Sequence, residues 1–262
     1  MQAGLNLFSI GRLIRTEPEF LQRAEQLKEM GYSFLQYSGA PYDPARIQRM
    51  ERVVGLPVVL THVPFPRITD ETDALMREHE SFGCRNIGLG AMPLDLVPDD
   101  EKVKAAVEKL EKAAAHMRRS GFRFFYHHHQ FEFRKMADGT FVYDYILQNA
   151  PDINITLDTY WIQYGGVNIL EYIRKSRGRI GCVHLKDYAV VQTAKDTYGP
   201  KIVPLGVGNL NFADIIAEMA ACGTEYFLVE QDNACDAPDA MEQVGQSIRY
   251  LKNFSQPIQE EK

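Results

Sequence analysis

Hydrophobic positions along the chain switch repeatedly between a period of two and a period near 3.6. Ile153, Ile155 and Leu157 alternate with Asn154, Thr156 and Asp158, the pattern of a strand with one apolar and one polar face. Seven more short runs predict strands, at residues 5–9, 32–37, 57–62, 86–89, 123–128, 180–185 and 226–230. Helical spacing fills the gaps. Phe20, Leu21, Ala24, Leu27 and Met30 line one face of a helix predicted over residues 17–30, and Gly31 stops it. Asp43-Pro44 supplies an N-cap and a first-turn proline for a second helix, which Gly55 ends. A third helix is predicted over 69–82. The longest, 98–120, opens on Asp99, Asp100 and Glu101 and closes on Arg118-Arg119, as the macrodipole favours. Further helices are predicted over 144–149, 168–175, 211–221 and 237–254. An aromatic-rich turn follows Asp158, residues 187–207 read as a long connection, and 255–262 as a polar tail.

Eight strand–helix units with short connections predict one α/β domain over residues 1–262, a closed parallel (β/α)8 TIM barrel. A doubly wound open sheet is the alternative. No GxGxxG or Walker-type loop follows the first strand, so the sequence gives no support to a nucleotide-binding domain.

Composition narrows the partners. A net charge of −6 argues against a nucleic-acid partner held by phosphate contacts. No apolar run approaches the ~20 residues a membrane helix needs, and the first residues lack the features of a secretory leader. The four cysteines show no CxxC spacing and read as reduced thiols, which suits a cytoplasmic protein. The composition is as compatible with a homo-oligomer as with a monomer.

Barrel enzymes carry their chemistry at the carboxyl ends of the strands. Five such ends here are rich in ionisable groups: His62, the run Tyr126-His127-His128-His129 with Glu132 beyond it, Asp158, His184-Leu185-Lys186-Asp187, and Glu230-Gln231-Asp232. Strand parity turns Asp158, His184, Lys186 and Glu230 inward together. It also puts His127 and His129 on one face and His128 on the other. One imidazole with carboxylates from separate strands makes a mixed nitrogen–oxygen site, suited best to Mn2+, with Mg2+, Co2+ or Zn2+ as alternatives. Asp158 also reads as a helix N-cap, and Glu132 as a surface partner of Arg134 or Lys135. Trp161, just after Asp158, suits a sugar-stacking wall as well as it suits the core. Gly206-Val207-Gly208 precedes a helix N-terminus, where an anion or hydroxyl could sit.

These motifs resemble a family when taken in order. GLNLFSIG, YHHHQFEF, LDTYW, VHLKD, PLGVGNLNF and FLVEQD resemble stretches of the sugar phosphate isomerase/epimerase proteins of the xylose isomerase-like TIM barrel superfamily. The resemblance implies a single divalent ion held by Asp158, His184, Glu230 and a fourth group. That group is Glu132 or, where relatives have a glutamate on strand five, a histidine of 127–129. It further implies proton abstraction next to a carbonyl of a sugar or keto-sugar through an enediolate. Glu230 and Glu132 would move protons, while His62, His127, His129 and Lys186 would hold substrate oxygens. Trp161 stands where the epimerase branch often carries a substrate-binding histidine, which counts against a ketose 3-epimerase. A lyase acting on an inosose or a 3-keto-glycoside, and a non-catalytic sugar-binding protein, fit the same motifs.

Overall fold

Local sequence sets most element ends. Thr16 and Glu19 form a reciprocal capping box at the start of α1 (Glu17–Met30), and Gly31 closes it in the left-handed conformation. Asp43 accepts the Arg46 N–H at the start of α2 (Pro44–Val54), and Asp99 accepts two N–H groups at the start of α5 (Asp100–Arg119). The computed structural model describes residues 1–255.

The strands β1 (Gly4–Asn6), β2 (Phe34–Tyr37), β3 (Val58–His62), β4 (Asn86–Leu89), β5 (Arg123–His127), β6 (Ile153–Asp158), β7 (Cys182–Leu185) and β10 (Tyr226–Val229) close into one barrel. All are parallel, and β1 pairs with both β2 and β10. That closure excludes the open sheet. The helices α3 (Phe65–Asp70), α4 (Thr72–Glu80), α6 (Val142–Asn149), α7 (Thr159–Tyr164), α8 (Ile169–Lys175), α9 (Phe212–Ala221) and α10 (Ala240–Leu251) join α1, α2 and α5. Among the described residues, no helix is long and apolar enough to cross a membrane. All four cysteines are free.

Alternation divides the barrel wall into two environments. Leu35, Ile87, Phe124, Tyr126, Ile155, Leu157, Val183 and Val229 face the helices and belong to the main core. Phe34, Leu60, Phe125, Cys182 and Leu228 form a separate apolar plug inside the barrel. Above that plug the inward positions become polar, with Asn6, Gln36, His127, Asp158 and His184 all buried.

Four expectations needed revision. The first strand is shorter, because the Asn6 side chain accepts the Phe8 N–H and starts a 3-10 segment over Leu7–Leu13. The helix expected over 69–82 is two helices, α3 and α4, with a break at Glu71. The turn after Asp158 is the short helix α7, and Asp158 is its N-cap. The long connection is an antiparallel hairpin, β8 (Asp187–Ala194) with β9 (Thr197–Val203). Most of its residues are exposed, so no buried face imposes the alternation by which strands are read. The polar tail, apart from Ser255, lies outside the described residues.

Candidate metal and active site

Register brings the polar inward residues to one level. Asp158 on β6 stands opposite His184 on β7, and His184 stands opposite Leu228 on β10. Glu230 follows two residues later, on the same face. The triple histidine separates as alternation requires. His127 points inward, and its Nδ1 lies 2.8 Å from the Gly90 carbonyl. His128 points back and accepts the Asp158 backbone N–H through Nε2 at 3.0 Å. His129 lies over the mouth, stacked on Phe131 and 5.1 Å from Trp161 between ring centroids.

His127, Asp158, His184 and Glu230 form a buried cluster whose four ligand atoms lie within 4.8 Å of one another. His184 Nδ1 is 2.7 Å from Glu230 Oε2, 3.2 Å from His127 Nε2 and 3.7 Å from Asp158 Oδ2. His127 Nε2 is 3.4 Å from the same Asp158 oxygen.

Outer partners decide which nitrogens face inward as lone pairs. A carbonyl can only accept, so His127 carries its proton on Nδ1 toward Gly90. His184 Nε2 meets Gln36 Oε1 at 2.7 Å, which places that proton on the outer nitrogen as well. Gln36 then donates from Nε2 to His62 Nε2 at 2.8 Å, and Asn6 Nδ2 donates to Glu230 Oε1 at 2.8 Å. Such outer hydrogen bonds commonly fix metal-ligating imidazoles. With neutral rings, two nitrogen lone pairs and two carboxylate oxygens converge on one point. Glu230 Oε2 is buried without a hydrogen bond of good geometry. The arrangement requires a cation, either a proton on His184 or a divalent metal. The donor set fits a metal of intermediate hardness.

Lys186 adds a fixed charge. Its fully buried ammonium lies 3.1 Å from Asp158 Oδ2, 3.2 Å from Glu230 Oε2 and 2.9 Å from Asp232 Oδ1. It also sits 5.0 Å from the Trp161 ring centroid. Burial opposes its charge, but the three carboxylates outweigh burial and hold its pKa above the ordinary lysine value. Burial likewise opposes the charge on His184, and Glu230 with Asp158 raises that pKa to about 9. Against burial, Lys186 and the histidines hold Asp158 well below the carboxylate range, and His184 with Lys186 does the same for Glu230. Burial and the Glu230 charge push Asp232 up to about 6.

Glu132 is not brought into the cluster. It follows the outward side of β5, where the Tyr126 hydroxyl donates to Oε1 at 2.5 Å and the His129 N–H donates to Oε2 at 2.7 Å. Nor is it paired with Arg134 or Lys135 at the surface; Arg134 binds Asp100. Burial raises the Glu132 pKa to about 8. His62 does reach the site, stacked on His127 at 5.5 Å.

The Gly206-Val207-Gly208 loop has an anion of its own. The buried Asp187 carboxylate accepts the N–H groups of Tyr188, Gly206, Gly208 and Leu210 at 2.8–3.2 Å. Gly206 has φ +80°, and a Cβ on Gly208 would lie 2.2 Å from Asp187 Oδ1. The glycines let the loop close over the carboxylate, and no N–H there remains for a ligand anion.

Asn6 and Gln36 were missed by sequence reasoning. Their signal was present: each is a polar residue at an inward position of a short, otherwise apolar strand.

Comparisons with known proteins agree with this architecture. A sugar phosphate isomerase/epimerase from Parabacteroides distasonis has TM-score 0.78 and 20% identity, over 96% of this chain and 93% of that one. A xylose isomerase-like TIM barrel protein from Mycobacterium smegmatis, in complex with magnesium, has TM-score 0.73 and 15% identity, over 96% and 95%. An L-ribulose 3-epimerase has TM-score 0.70 and 15% identity, over 97% and 94%. Among curated proteins none matches the sequence significantly. The xylose isomerase-like TIM barrel family model matches residues 24–254, nearly the whole chain, and the protein belongs to that family.

Proposed function

We propose that the protein is an isomerase of a sugar or keto-sugar, working with one divalent cation held by His127, Asp158, His184 and Glu230. The observation that carries the reading is the convergence of two imidazole lone pairs and two carboxylates at the barrel mouth. Mn2+ is the proposed ion, because the two carboxylates suit it; Mg2+, Co2+ and Zn2+ are the alternatives. When bound, the ion would supply Lewis acidity toward neighbouring carbonyl and hydroxyl oxygens. The activities named for the structural neighbours, sugar phosphate isomerase/epimerase and L-ribulose 3-epimerase, support a carbohydrate substrate, and the magnesium complex supports a divalent ion.

The remaining roles belong to side chains of this chain. Glu230 would take the proton from the carbon beside the carbonyl and return it to the neighbouring carbon of the enediolate. Lys186, His62 and His129 would hold substrate oxygens, and the Trp161 ring would form one wall. Glu132, with both oxygens engaged by Tyr126 and the His129 backbone and outside the cluster, would position His129 rather than exchange a proton with the substrate. Epimerisation by two flanking carboxylates therefore loses its second partner, and chemistry on one face, aldose–ketose isomerisation, is favoured. β-Elimination also needs only one face, which makes a lyase the second reading. The occupied Gly206-Val207-Gly208 loop argues for an unphosphorylated sugar.

The test is elemental analysis of the purified protein, then a panel of aldoses, ketoses and 3-keto-glycosides in deuterated water with and without chelator. The expected result is chelator-sensitive incorporation of deuterium next to the carbonyl. A metal-free protein with no exchange on any sugar would refute the reading. Recovery of a dehydrated or cleaved product would favour the lyase.

A further inference from the structure

We infer that the Lys186–Asp232 pair is a built-in rival to the metal and sets how tightly the site holds a divalent cation. The inference rests on the metal reading above. Lys186 Nζ lies 3.1–3.2 Å from Asp158 Oδ2 and Glu230 Oε2, the same two oxygens that face His127 and His184. An ion on those oxygens meets a buried ammonium at short range, where repulsion is weakly screened. Asp232 is the third partner, at 2.9 Å, and it is outside the four-residue cluster. Its side chain is 26% exposed, against 1% for Lys186, so it lies toward solvent from the shared oxygens.

Charge balance gives Asp232 its role. Two carboxylates and neutral imidazoles balance a dication, which leaves Lys186 and Asp232 to neutralise each other. Without a dication, Lys186 shares with a protonated His184 the task of holding Asp158 and Glu230 together, and the lysine is the partner that keeps its charge when an ion arrives. Lys186 therefore stabilises the metal-free site and weakens metal binding, and Asp232 draws it off the ligands. A lysine that only holds substrate would not tie metal affinity to Asp232 in this way.

The test is calorimetric titration of the full chain with MnCl2, for wild type, Lys186→Met, Asp232→Asn and the double variant, with melting temperatures of each before and after addition. Lys186→Met is expected to bind Mn2+ at least roughly ten-fold more tightly and to melt lower than wild type before metal is added. Asp232→Asn is expected to bind more weakly, by roughly three-fold or more. Its effect should shrink in the Lys186→Met background, because it acts through the lysine. Equal or weaker binding by Lys186→Met overturns the inference while leaving the metal reading intact. If Lys186→Met does not fold, an unchanged affinity in Asp232→Asn overturns it alone. A wild-type protein that takes up no Mn2+ overturns both.

Discussion

The two ends of the barrel both carry charged side chains on inward positions, yet they solve the problem of charge differently. At the amino end a cavity of about 870 Å3 opens between Arg123, Glu225, Asn86, Glu51 and Cys84. The charged and amide groups among them have partners of their own, and Glu51 accepts the Val58 N–H at 2.7 Å. Arg123 pairs with Glu225 and donates to Asn86 Oδ1 at 2.9 Å, and Asn86 donates to the Val59 carbonyl at 2.7 Å. At the carboxyl end, the acceptors outnumber the fixed cations, and several groups share the same oxygens. Asp158 Oδ2 alone has His127, His184 and Lys186 within 3.7 Å. A sizeable cavity thus opens at the end with satisfied pairs. What marks a reactive site is convergence of titratable groups that cannot all be satisfied by one another.

Substitutions can test that contrast. The largest effect is expected from Glu230→Gln, which keeps the shape but removes the charge and the proposed proton carrier: turnover should fall roughly a thousand-fold or more. Near-normal turnover would place the proton chemistry elsewhere. Next is Asp187→Ala, which strips four N–H groups of a buried acceptor. It should cost about 3–5 kcal/mol in denaturant unfolding; a loss under 1 kcal/mol would mean that water readily replaces the carboxylate.

Glu132 should make stability depend on pH. Its pKa in the fold, about 8, lies above its ordinary value of 4.5, so folding takes up a proton between those two values. Its favourable contribution is complete below pH 4.5 and is lost as pH rises through 8. Relative to Glu132→Gln, the wild type should lose at most about 1.4 kcal/mol of stability per pH unit across that window. Parallel stability curves from urea titrations at pH 5–9 would show that Glu132 is already ionised in the fold. The smallest effect belongs to the amino end. Arg123→Ala should cost about 1 kcal/mol or less, as its ion pair is half exposed, and should leave Mn2+ affinity unchanged. A change in metal binding there would show that the two ends are coupled.

Much of this was legible in one dimension. Parity placed Asp158, His184, Lys186 and Glu230 on inward faces, and the alternation of periods announced a barrel. Glu132 shows where that reasoning stops. It was the natural carboxylate to complete a ligand set, but alternation along β5 turns Tyr126 to the helix side and His127 to the site, and the 3-10 turn beyond the strand hands Glu132 to the Tyr126 hydroxyl. The hairpin at 187–203 escaped notice because an exposed ribbon needs no buried face. Asp187 escaped for a different reason: its four partners include three from the 206–210 loop, and nothing in VHLKD announces that pairing.

By itself, the sequence determined the order of strands and helices and the face on which the candidate side chains of β6, β7 and the end of β10 stand, because both follow from local periodicity and backbone sterics. Tertiary structure decided which of those side chains meet. Barrel closure brings Asn6 within hydrogen-bonding distance of Glu230, 224 residues away. Gln36 turns the His184 lone pair inward, and Lys186 comes to lie on three carboxylates. Such contacts depend on strand register and closure between distant segments, which no short-range pattern specifies.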